Sequence, residues 1–282
     1  MIEGTVQRGE ALRVPARRAS SLGRLRRRAG RVLVAPLYHV YTNSLRHEVR
    51  RAPVPHHIAV ILDGNRRWAT EAGLHVGAGH RHGADKIDEL LAWCADLGIA
   101  EVTLWALSGE NLDRDEQELD ALLEVVADTL GHLATQPLRI RVIGRFEGLP
   151  PRLLEAIERA ESDTSGNAGL RLNIALGYSG RDELVDACRA MVRSLAAQGV
   201  PAESLADGVT TETLASHLYT AGAPDPDLII RTSGELRLSG FLPWQSAHSE
   251  FYFTDVYWPA FRELDFLRAL RTYQQRERRF GR

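Results

Sequence analysis

Two arginines and a serine after an apolar run are the most distinctive chemistry-bearing residues of the chain. The run ends at Arg231, and Arg237 and Ser239 follow within a turn rich in serine and glycine. A guanidinium can bind two phosphate oxygens at once, and glycine lets backbone N–H groups approach an anion closely. This spacing predicts a site that binds a diphosphate.

A carboxylate follows a second buried run. Asp63 comes directly after the apolar residues 58–62, and Gly64 precedes a helix that we expect to begin at Arg66. A carboxylate in this position suits Mg²⁺ held between it and a phosphate, and Arg66 and Arg67 add positive charge. The alternative is a capped strand-to-helix turn with solvated arginines. No Gly-Lys-Ser/Thr follows, which excludes a Walker loop.

A histidine pair and a glutamate are weaker candidates. His80 and His82 have no cysteine or histidine partner at a spacing suited to zinc, so we expect His80 to contact a phosphate from the start of a helix. Glu250 lies among aromatic residues and matters only if the fold brings it beside Asp63. Two carboxylates could then hold one Mg²⁺.

These residues need a framework that brings strand ends together. Strands are expected at 58–62, 102–107, 140–144, 170–176, 228–230 and 250–253. Helices are expected over 80–97 and 150–162, from Arg66 and from near Pro259. Two more are predicted from capping residues: one begins at a capping box of Asp113 and Glu116, and one runs from a cap of Ser179 and Asp182 to about 197. Alternation of strands and helices predicts an α/β fold with a mainly parallel sheet. Ligands in such sheets bind beyond the carboxyl ends of the strands.

Length and composition fit one α/β domain with an N-terminal extension. The chain has 282 residues, of which 44% are hydrophobic, and no apolar run is long enough to span a membrane or to act as a secretory signal. Cys94 and Cys188 lie in helical apolar patterns and are predicted to be buried thiols of a cytoplasmic protein. Lys86 is the only lysine, so arginine content reflects overall composition and no nucleic-acid partner is expected.

The charge is concentrated at the N-terminus. Residues 1–51 hold 12 arginines and 3 acidic residues. We expect 1–30 to be disordered and 31–50 to contain a short amphipathic helix after Pro36, so that 1–50 form a basic extension and 51–282 the main domain. One interpretation is an arm that rests on an anionic membrane surface. The alternatives are a floppy tail or a mis-assigned start codon.

Six collinear segments across residues 56–282 resemble one enzyme family. They are HIAVILDGNRRWA, GAGHRHGADK, LWALSGENLDRD, LNIALGYSGR, DLIIRTSGELRLSGFLPWQSAHSEFYF and RERRFG. Together they resemble the cis-prenyltransferases, the (Z)-isoprenyl diphosphate synthases that include undecaprenyl diphosphate synthase. Within that family the chain is most similar to short-chain actinobacterial (2Z,6E)-farnesyl diphosphate synthases, which share a Pro-Leu-Tyr segment before the core, here 36–38.

The resemblance implies a fold, a reaction and a set of residue roles. It implies a six-stranded sheet flanked by helices, a homodimer, and Mg²⁺-dependent condensation of isopentenyl diphosphate with an allylic diphosphate, expected to be geranyl diphosphate. The implied metal ligands are Asp63 and Glu250, and Asp63, Asn65 and Ser108 are the implied catalytic residues. The implied substrate contacts are Gly64, Arg66, Arg67, Trp68, His80, Glu110, Asn111, Arg114, Arg231, Arg237 and Ser239. The tail residues 279–281 resemble a motif that reaches the partner subunit.

Several positions depart from the family pattern. Val76 stands where many members have an arginine that contacts diphosphate, and Arg66 stands where long-chain members have glycine, so we hypothesise that Arg66 replaces the lost contact. Gly109, Leu112 and Leu236 are also atypical. Ala106 is small where bulk is associated with short products, which favours a longer chain.

Three readings of the function remain open at this point. Besides a short-chain synthase, the chain could be a medium- or long-chain polyprenyl diphosphate synthase. It could also be a non-catalytic prenyl-lipid-binding subunit. Such a subunit should lack Asp63 and the Arg231 turn, and both are present here. A membrane scaffold driven by the basic arm would leave the core motifs unexplained.

Overall fold

The apolar runs of the sequence form one sheet of six parallel strands. The computed structural model of the chain describes residues 37–113 and 115–276. The strands are β1 (His57–Ile61), β2 (Glu101–Trp105), β3 (Arg139–Gly144), β4 (Arg171–Leu176), β5 (Leu228–Arg231) and β6 (Glu250–Phe253). Their order is β3-β4-β2-β1-β5-β6, and every neighbouring pair is parallel. The predicted α/β class and parallel sheet are confirmed.

Seven numbered helices accompany the sheet in the described part of the chain. They are α1 (Asn65–Glu71), α2 (Val76–Leu97), α3 (Glu116–Leu133), α4 (Pro151–Thr164), α5 (Gly180–Ala197), α6 (Thr211–Ala215) and α7 (Glu263–Gln275). Leu90, Leu91 and Cys94 of α2 are buried, as are Leu122 and Leu130 of α3. The apolar stripes predicted from helical spacing therefore pack in the core.

Helix boundaries differ from the predictions where the capping residue lies elsewhere. Helix α2 begins four residues earlier than expected because the His75 ring accepts a hydrogen bond from the Gly77 N–H at 3.2 Å. The predicted capping box of Asp113 and Glu116 is wrong, since Asp115 caps α3 by accepting bonds from two backbone N–H groups.

Three further expectations need correction. Ser179 precedes α5 but forms no side-chain cap. The last helix begins at Glu263 because the segment Trp258–Ala260, with its proline, forms a separate 3₁₀ turn. Cys94 is buried as predicted, whereas Cys188 is exposed on α5.

The chain divides into two units, Met1–Ser44 and Leu45–Arg282. In the first unit residues 37–44 are helical, and the expectations for 1–36 lie outside the described residues. The second unit begins with helical residues 45–49, and Arg46 donates to a Glu263 carboxylate oxygen from Nε at 2.7 Å. Within the described ranges no helix is long and apolar enough to cross a bilayer.

Candidate active site

The turn after β1 holds Asp63 by its backbone. The Asp63 N–H donates to the Thr232 hydroxyl at 3.0 Å, and that hydroxyl donates to the Asp63 carbonyl at 2.7 Å. The next residue, Gly64, has a φ of 102°, and a Cβ there would lie 2.6 Å from the Tyr257 ring. Only glycine fits this position. The close packing of Gly64 against Tyr257 holds the backbone of the turn that carries Asp63.

Arg231 reaches the same place from β5. It is the last residue of that strand and pairs in register with Ile61, the last residue of β1. Its side chain is 6% exposed, and Nη2 donates to Asp63 Oδ2 at 2.9 Å. Nη1 donates to the Ser239 hydroxyl at 2.9 Å and to the Arg237 carbonyl. A buried guanidinium thus links the two sequence segments that predicted an anion site.

Asp63 is held ionised by its surroundings. Burial alone would raise the pKa of this carboxyl. Hydrogen bonds from Arg231 and Ser233, together with the positive charges of Arg231 and Arg67, outweigh burial and lower the pKa. The carboxylate therefore carries its negative charge at neutral pH, which is the form that can bind a cation.

Arg67 forms the second positive wall. Its Nη2 donates to Asp63 Oδ1 at 3.2 Å and to the Ser233 hydroxyl at 2.7 Å. Its guanidinium carbon lies 5.6 Å from the centre of the Tyr257 ring. Arg67 is 45% exposed, so its charge remains accessible to a ligand.

These side chains line one open cavity of about 640 Å³. The predicted residues that line it are Asp63, Gly64, Asn65, Arg66, Arg67, His80, Ser108, Glu110, Asn111, Arg231, Arg237 and Ser239. Asp63 and Arg231 thus face a common space, as the predicted diphosphate site requires. Arg114 lies outside the described residues.

The far wall comes from β2 and β4. Ser108 forms a parallel bridge with Tyr178, and the Gly109 N–H donates to the Tyr178 carbonyl at 3.2 Å. The 3₁₀ turn Gly109–Asp113 then places Glu110 and Asn111 on the cavity lining. The carboxyl ends of four neighbouring strands, β4, β2, β1 and β5, therefore supply the site.

Asn65 lies where this cavity adjoins an apolar slot. Its amide nitrogen donates to the Leu62 carbonyl at 3.1 Å, whereas Oδ1 is buried and has no hydrogen-bond partner among the described residues. The slot has a volume of about 60 Å³ and lies between α2 and α3. Leu62, Asn65, His80, Ala106 and Leu122 line both spaces. A polar cradle thus adjoins a narrow apolar space.

Comparison with known proteins identifies the family. Residues 61–281 match the prenyltransferase family model described as "Putative undecaprenyl diphosphate synthase". The chain belongs to this prenyltransferase family.

Similar proteins come from several bacteria and one plant. An isoprenyl transferase of Thermus thermophilus is 51% identical over 89% of this chain and 97% of its own length. A (2Z,6E)-farnesyl diphosphate synthase of Thermobifida fusca is also 51% identical, over 89% of this chain and 99% of its own. The solved structure of lavandulyl diphosphate synthase from Lavandula x intermedia, in complex with dimethylallyl diphosphate, has a TM-score of 0.75. It is 36% identical and covers 81% of this chain and 99% of its own.

Glu250 does not lie in the prenyltransferase cavity. It is the first residue of β6 and pairs in register with Leu228, the first residue of β5, whereas Asp63 contacts the last residue of β5. The amino and carboxyl ends of parallel strands lie at opposite edges of a sheet. Glu250 is instead ion-paired with Arg276. The prediction that both carboxylates face one site is therefore corrected for a single chain.

Trp68 and His80 have different surroundings from those expected. Trp68 does not line the cavity and packs against His82, with ring centres 4.9 Å apart. His80 lies beyond the first turn of α2 rather than at its start, and it is buried. Arg66 lines the cavity and lies 3.4 Å from Glu118, whereas Val76 is absent from the lining.

Two residues that were not predicted from the sequence contact Arg67 and Gly64 without lining the cavity themselves. Ser233 binds Arg67, and its position two residues after Arg231 was a usable signal. Tyr257 packs under Arg67 and against Gly64, but no local pattern marks it, since it reaches the site from the segment after β6.

The described residues contain no group of three or more histidine, cysteine, aspartate or glutamate side chains arranged to hold a metal. Magnesium needs less than such a cluster, because it is often bound by one or two carboxylates together with phosphate oxygens and water. The ionised, partly exposed Asp63 fits that requirement.

Proposed function

We propose that this prenyltransferase condenses isopentenyl diphosphate with an allylic diphosphate, geranyl diphosphate first among them, to a short-chain Z-prenyl diphosphate. The observation that carries the proposal is the 2.9 Å pair between Asp63 and Arg231 inside a 640 Å³ cavity that adjoins an apolar slot. The names of the Thermobifida fusca relative and of a 50% identical Mycolicibacterium smegmatis (2Z,6E)-farnesyl diphosphate synthase support it.

The two diphosphates would occupy different sides of the cavity. Arg231, Arg237 and Ser239 are the proposed contacts of isopentenyl diphosphate. The proposed contacts of the allylic diphosphate are Gly64, Asn65, Arg66, Arg67 and His80. Both groups line the same space, so the reacting carbons can be aligned while the two charged ends stay apart.

We propose Asp63 as the residue that holds Mg²⁺ together with diphosphate oxygens. Bound Mg²⁺ would neutralise negative charge on the departing diphosphate. Asp63 can take this role because its pKa is lowered and its carboxylate is partly exposed. A metal would replace part of its present pairing with Arg67 and Arg231, which would free their N–H groups for phosphate oxygens.

The remaining polar groups fit the proton removal that follows. The allylic carbon–oxygen bond breaks, the alkene of isopentenyl diphosphate forms the new carbon–carbon bond, and one proton is lost. Asn65 Oδ1 is buried without a hydrogen-bond partner among the described residues, and Ser108 lines the same cavity. We propose that these two oxygens assist by accepting hydrogen bonds on the route of that proton to the departing diphosphate, which is the basic group that takes it up.

The apolar slot bears on product length. Its volume of about 60 Å³ is small beside the 640 Å³ of the cavity, which favours a short product unless α2 and α3 separate. Ala106 lines the junction of slot and cavity and is small. That feature favours the second candidate, a medium- or long-chain polyprenyl diphosphate synthase.

Product analysis tests the function. The purified protein would be incubated with isopentenyl diphosphate, Mg²⁺ and allylic primers of increasing length, and the products separated against E and Z standards. We expect one or a few additions to geranyl diphosphate with Z geometry, and none in Asp63→Ala. A wild-type protein that extends no primer would refute the proposal and favour a prenyl-lipid-binding subunit.

We further infer a cytoplasmic homodimer whose basic N-terminal arm contacts anionic membranes. Support comes from the family resemblance and from the 12 arginines within residues 1–51. Sedimentation tests the dimer, and co-flotation with anionic vesicles, with and without residues 1–36, tests the arm. The tail motif at 279–281 lies outside the described residues.

A further inference from the structure

Glu235 lies between the two sides of the cavity and contacts an arginine from each. Its Oε1 is 3.5 Å from Arg67 Nη1, and its Oε2 is ion-paired with Arg237 Nη1. Both arginines line the cavity, whereas Glu235 is not part of the lining. The carboxylate therefore holds the two guanidiniums from outside the space that a ligand would fill.

The loop that carries Glu235 is tightly fixed. The N–H groups of Ser233 and Gly234 donate at 2.9 Å to the carbonyls of Val256 and Thr254. From the inner side Arg231 donates to the Arg237 carbonyl and to Ser239. The loop thus offers Glu235 as a rigidly placed charge.

Backbone strain marks the same loop. The described residues other than glycine with positive φ are Ser233, Ser239 and Leu242, all in this part of the chain. Such conformations cost energy and concentrate at functional sites, where surrounding contacts enforce them. The loop is therefore held in a specific shape rather than a relaxed one.

The two arginines depend on Glu235 unequally. Arg67 also binds Asp63 and Ser233 and lies over the Tyr257 ring. Arg237 is 64% exposed, and among the described residues Glu235 is its one side-chain partner. Loss of the Glu235 charge would leave Arg67 in place and would release the Arg237 guanidinium.

We propose that Glu235 is a positioning residue that orients Arg237, and to a smaller extent Arg67, for the two substrate diphosphates. This inference rests on the proposed function. Each arginine gives one Nη to Glu235, so Arg237 keeps Nε and Nη2 for phosphate oxygens. An exposed arginine loses less rotamer entropy on binding when its direction is already fixed.

The test compares Glu235→Gln with wild type for both substrates. Glutamine keeps the size of the side chain and removes its charge. We expect the KM for isopentenyl diphosphate to rise about tenfold, one decade in an equilibrium constant, with a change of less than about threefold in the allylic KM and in kcat. Calorimetric titration of isopentenyl diphosphate should show the same weakening without turnover.

Two further variants sharpen the comparison. In an Arg237→Gln background, Glu235→Gln should add little to the KM for isopentenyl diphosphate, because its target is gone. The matched control is Glu155→Gln, which neutralises an exposed glutamate paired with Arg159 on α4. That control should leave both KM values unchanged.

Specific outcomes would overturn the proposal. If Glu235→Gln tightens binding of isopentenyl diphosphate, the carboxylate competes with substrate instead of orienting the arginines. An unchanged KM for isopentenyl diphosphate would reject the positioning role, and so would an equal rise in KM for both substrates. If Glu235→Gln fails to fold, Glu235→Asp replaces it in the test. A folded Glu235→Asp variant with no gain in substrate affinity over Glu235→Gln would also reject the role. A wild-type protein without condensation activity would refute the proposed function, while the titration would still decide whether Glu235 supports diphosphate binding.

Discussion

Replacing Arg231 with lysine separates charge from geometry at the centre of the cavity. The arginine serves three acceptors from two nitrogens, namely Asp63, Ser239 and the Arg237 carbonyl. Lysine keeps the positive charge but has a single nitrogen, which cannot occupy both Nη positions. The substitution therefore breaks at least one of these contacts and leaves the carboxylate charge paired.

The magnitude follows from burial and from the partner lost. The Arg231 side chain is 6% exposed, so water replaces a broken bond poorly. A hydrogen bond that involves a charged group contributes about 1.5–3 kcal/mol. We expect Arg231→Lys to lower the free energy of unfolding by about 2 kcal/mol. For a domain of this size that corresponds to a fall in Tm of roughly 4–8 °C.

The effect on catalysis should be larger than the effect on stability. The Ser239 hydroxyl and the Arg237 backbone lose a shared anchor, so the loop that we propose to contact isopentenyl diphosphate loosens. We expect kcat/KM for isopentenyl diphosphate to fall about 100-fold, which is about 2.7 kcal/mol of transition-state stabilisation. Steady-state kinetics and thermal unfolding on the same preparation measure both quantities.

A matched substitution controls for the change from arginine to lysine itself. Arg159 is 72% exposed and pairs with Glu155 within one helix, so Arg159→Lys should change stability by less than about 0.5 kcal/mol and leave kinetics unchanged. An Arg231→Lys variant with wild-type Tm and wild-type KM would show that charge alone suffices. The three-acceptor geometry would then have no role.

Three other perturbations test separate parts of the structure. Arg66→Gly should raise the allylic KM strongly if Arg66 supplies a diphosphate contact from the cavity wall, and an unchanged KM would dispose of that hypothesis. Gly64→Ala should cost at least about 2 kcal/mol in urea unfolding, because the φ of 102° and the 2.6 Å approach to Tyr257 exclude a Cβ, and a wild-type midpoint would contradict the geometry. Burial lowers the pKa of His57 and outweighs the opposing effect of Glu101, so its contribution to stability is present above pH 6.5 and is lost as the pH falls from 6.5 through the folded pKa. Urea unfolding at pH 7.5 and 5.5 should show that loss, and His57→Gln should show a smaller one.

The sequence could predict residues that directly follow a strand. Asp63 and Arg231 each come within two residues of a continuously apolar run, and the parallel register of β1 and β5 turns that placement into contact. The same rule places Glu250 of this chain away from Asp63, since Glu250 is the first residue of its strand and so lies at the other edge of the sheet. Strand direction, rather than residue type, decided these outcomes.

Contacts from distant segments could not be predicted in the same way. Tyr257 fixes Gly64 and packs under Arg67, yet it follows β6 and carries no pattern that marks it. The exposure of Cys188 was also missed, because the apolar spacing of α5 does not show which side of that helix is covered. The period of the apolar residues predicts whether a segment is a helix or a strand. Which of its residues are buried depends on the elements that pack against it.

The charge balance explains how a buried arginine is tolerated in this cavity. Arg231, Arg67 and Arg237 face Asp63 and Glu235, so three positive charges meet two negative ones. An uncompensated buried guanidinium would cost several kcal/mol, and Asp63 removes that cost. Incoming diphosphates would therefore exchange partners with these existing ion pairs. Under the proposed function each exchange would release a carboxylate, so Asp63 would become available to a cation as Arg67 and Arg231 turn to phosphate oxygens.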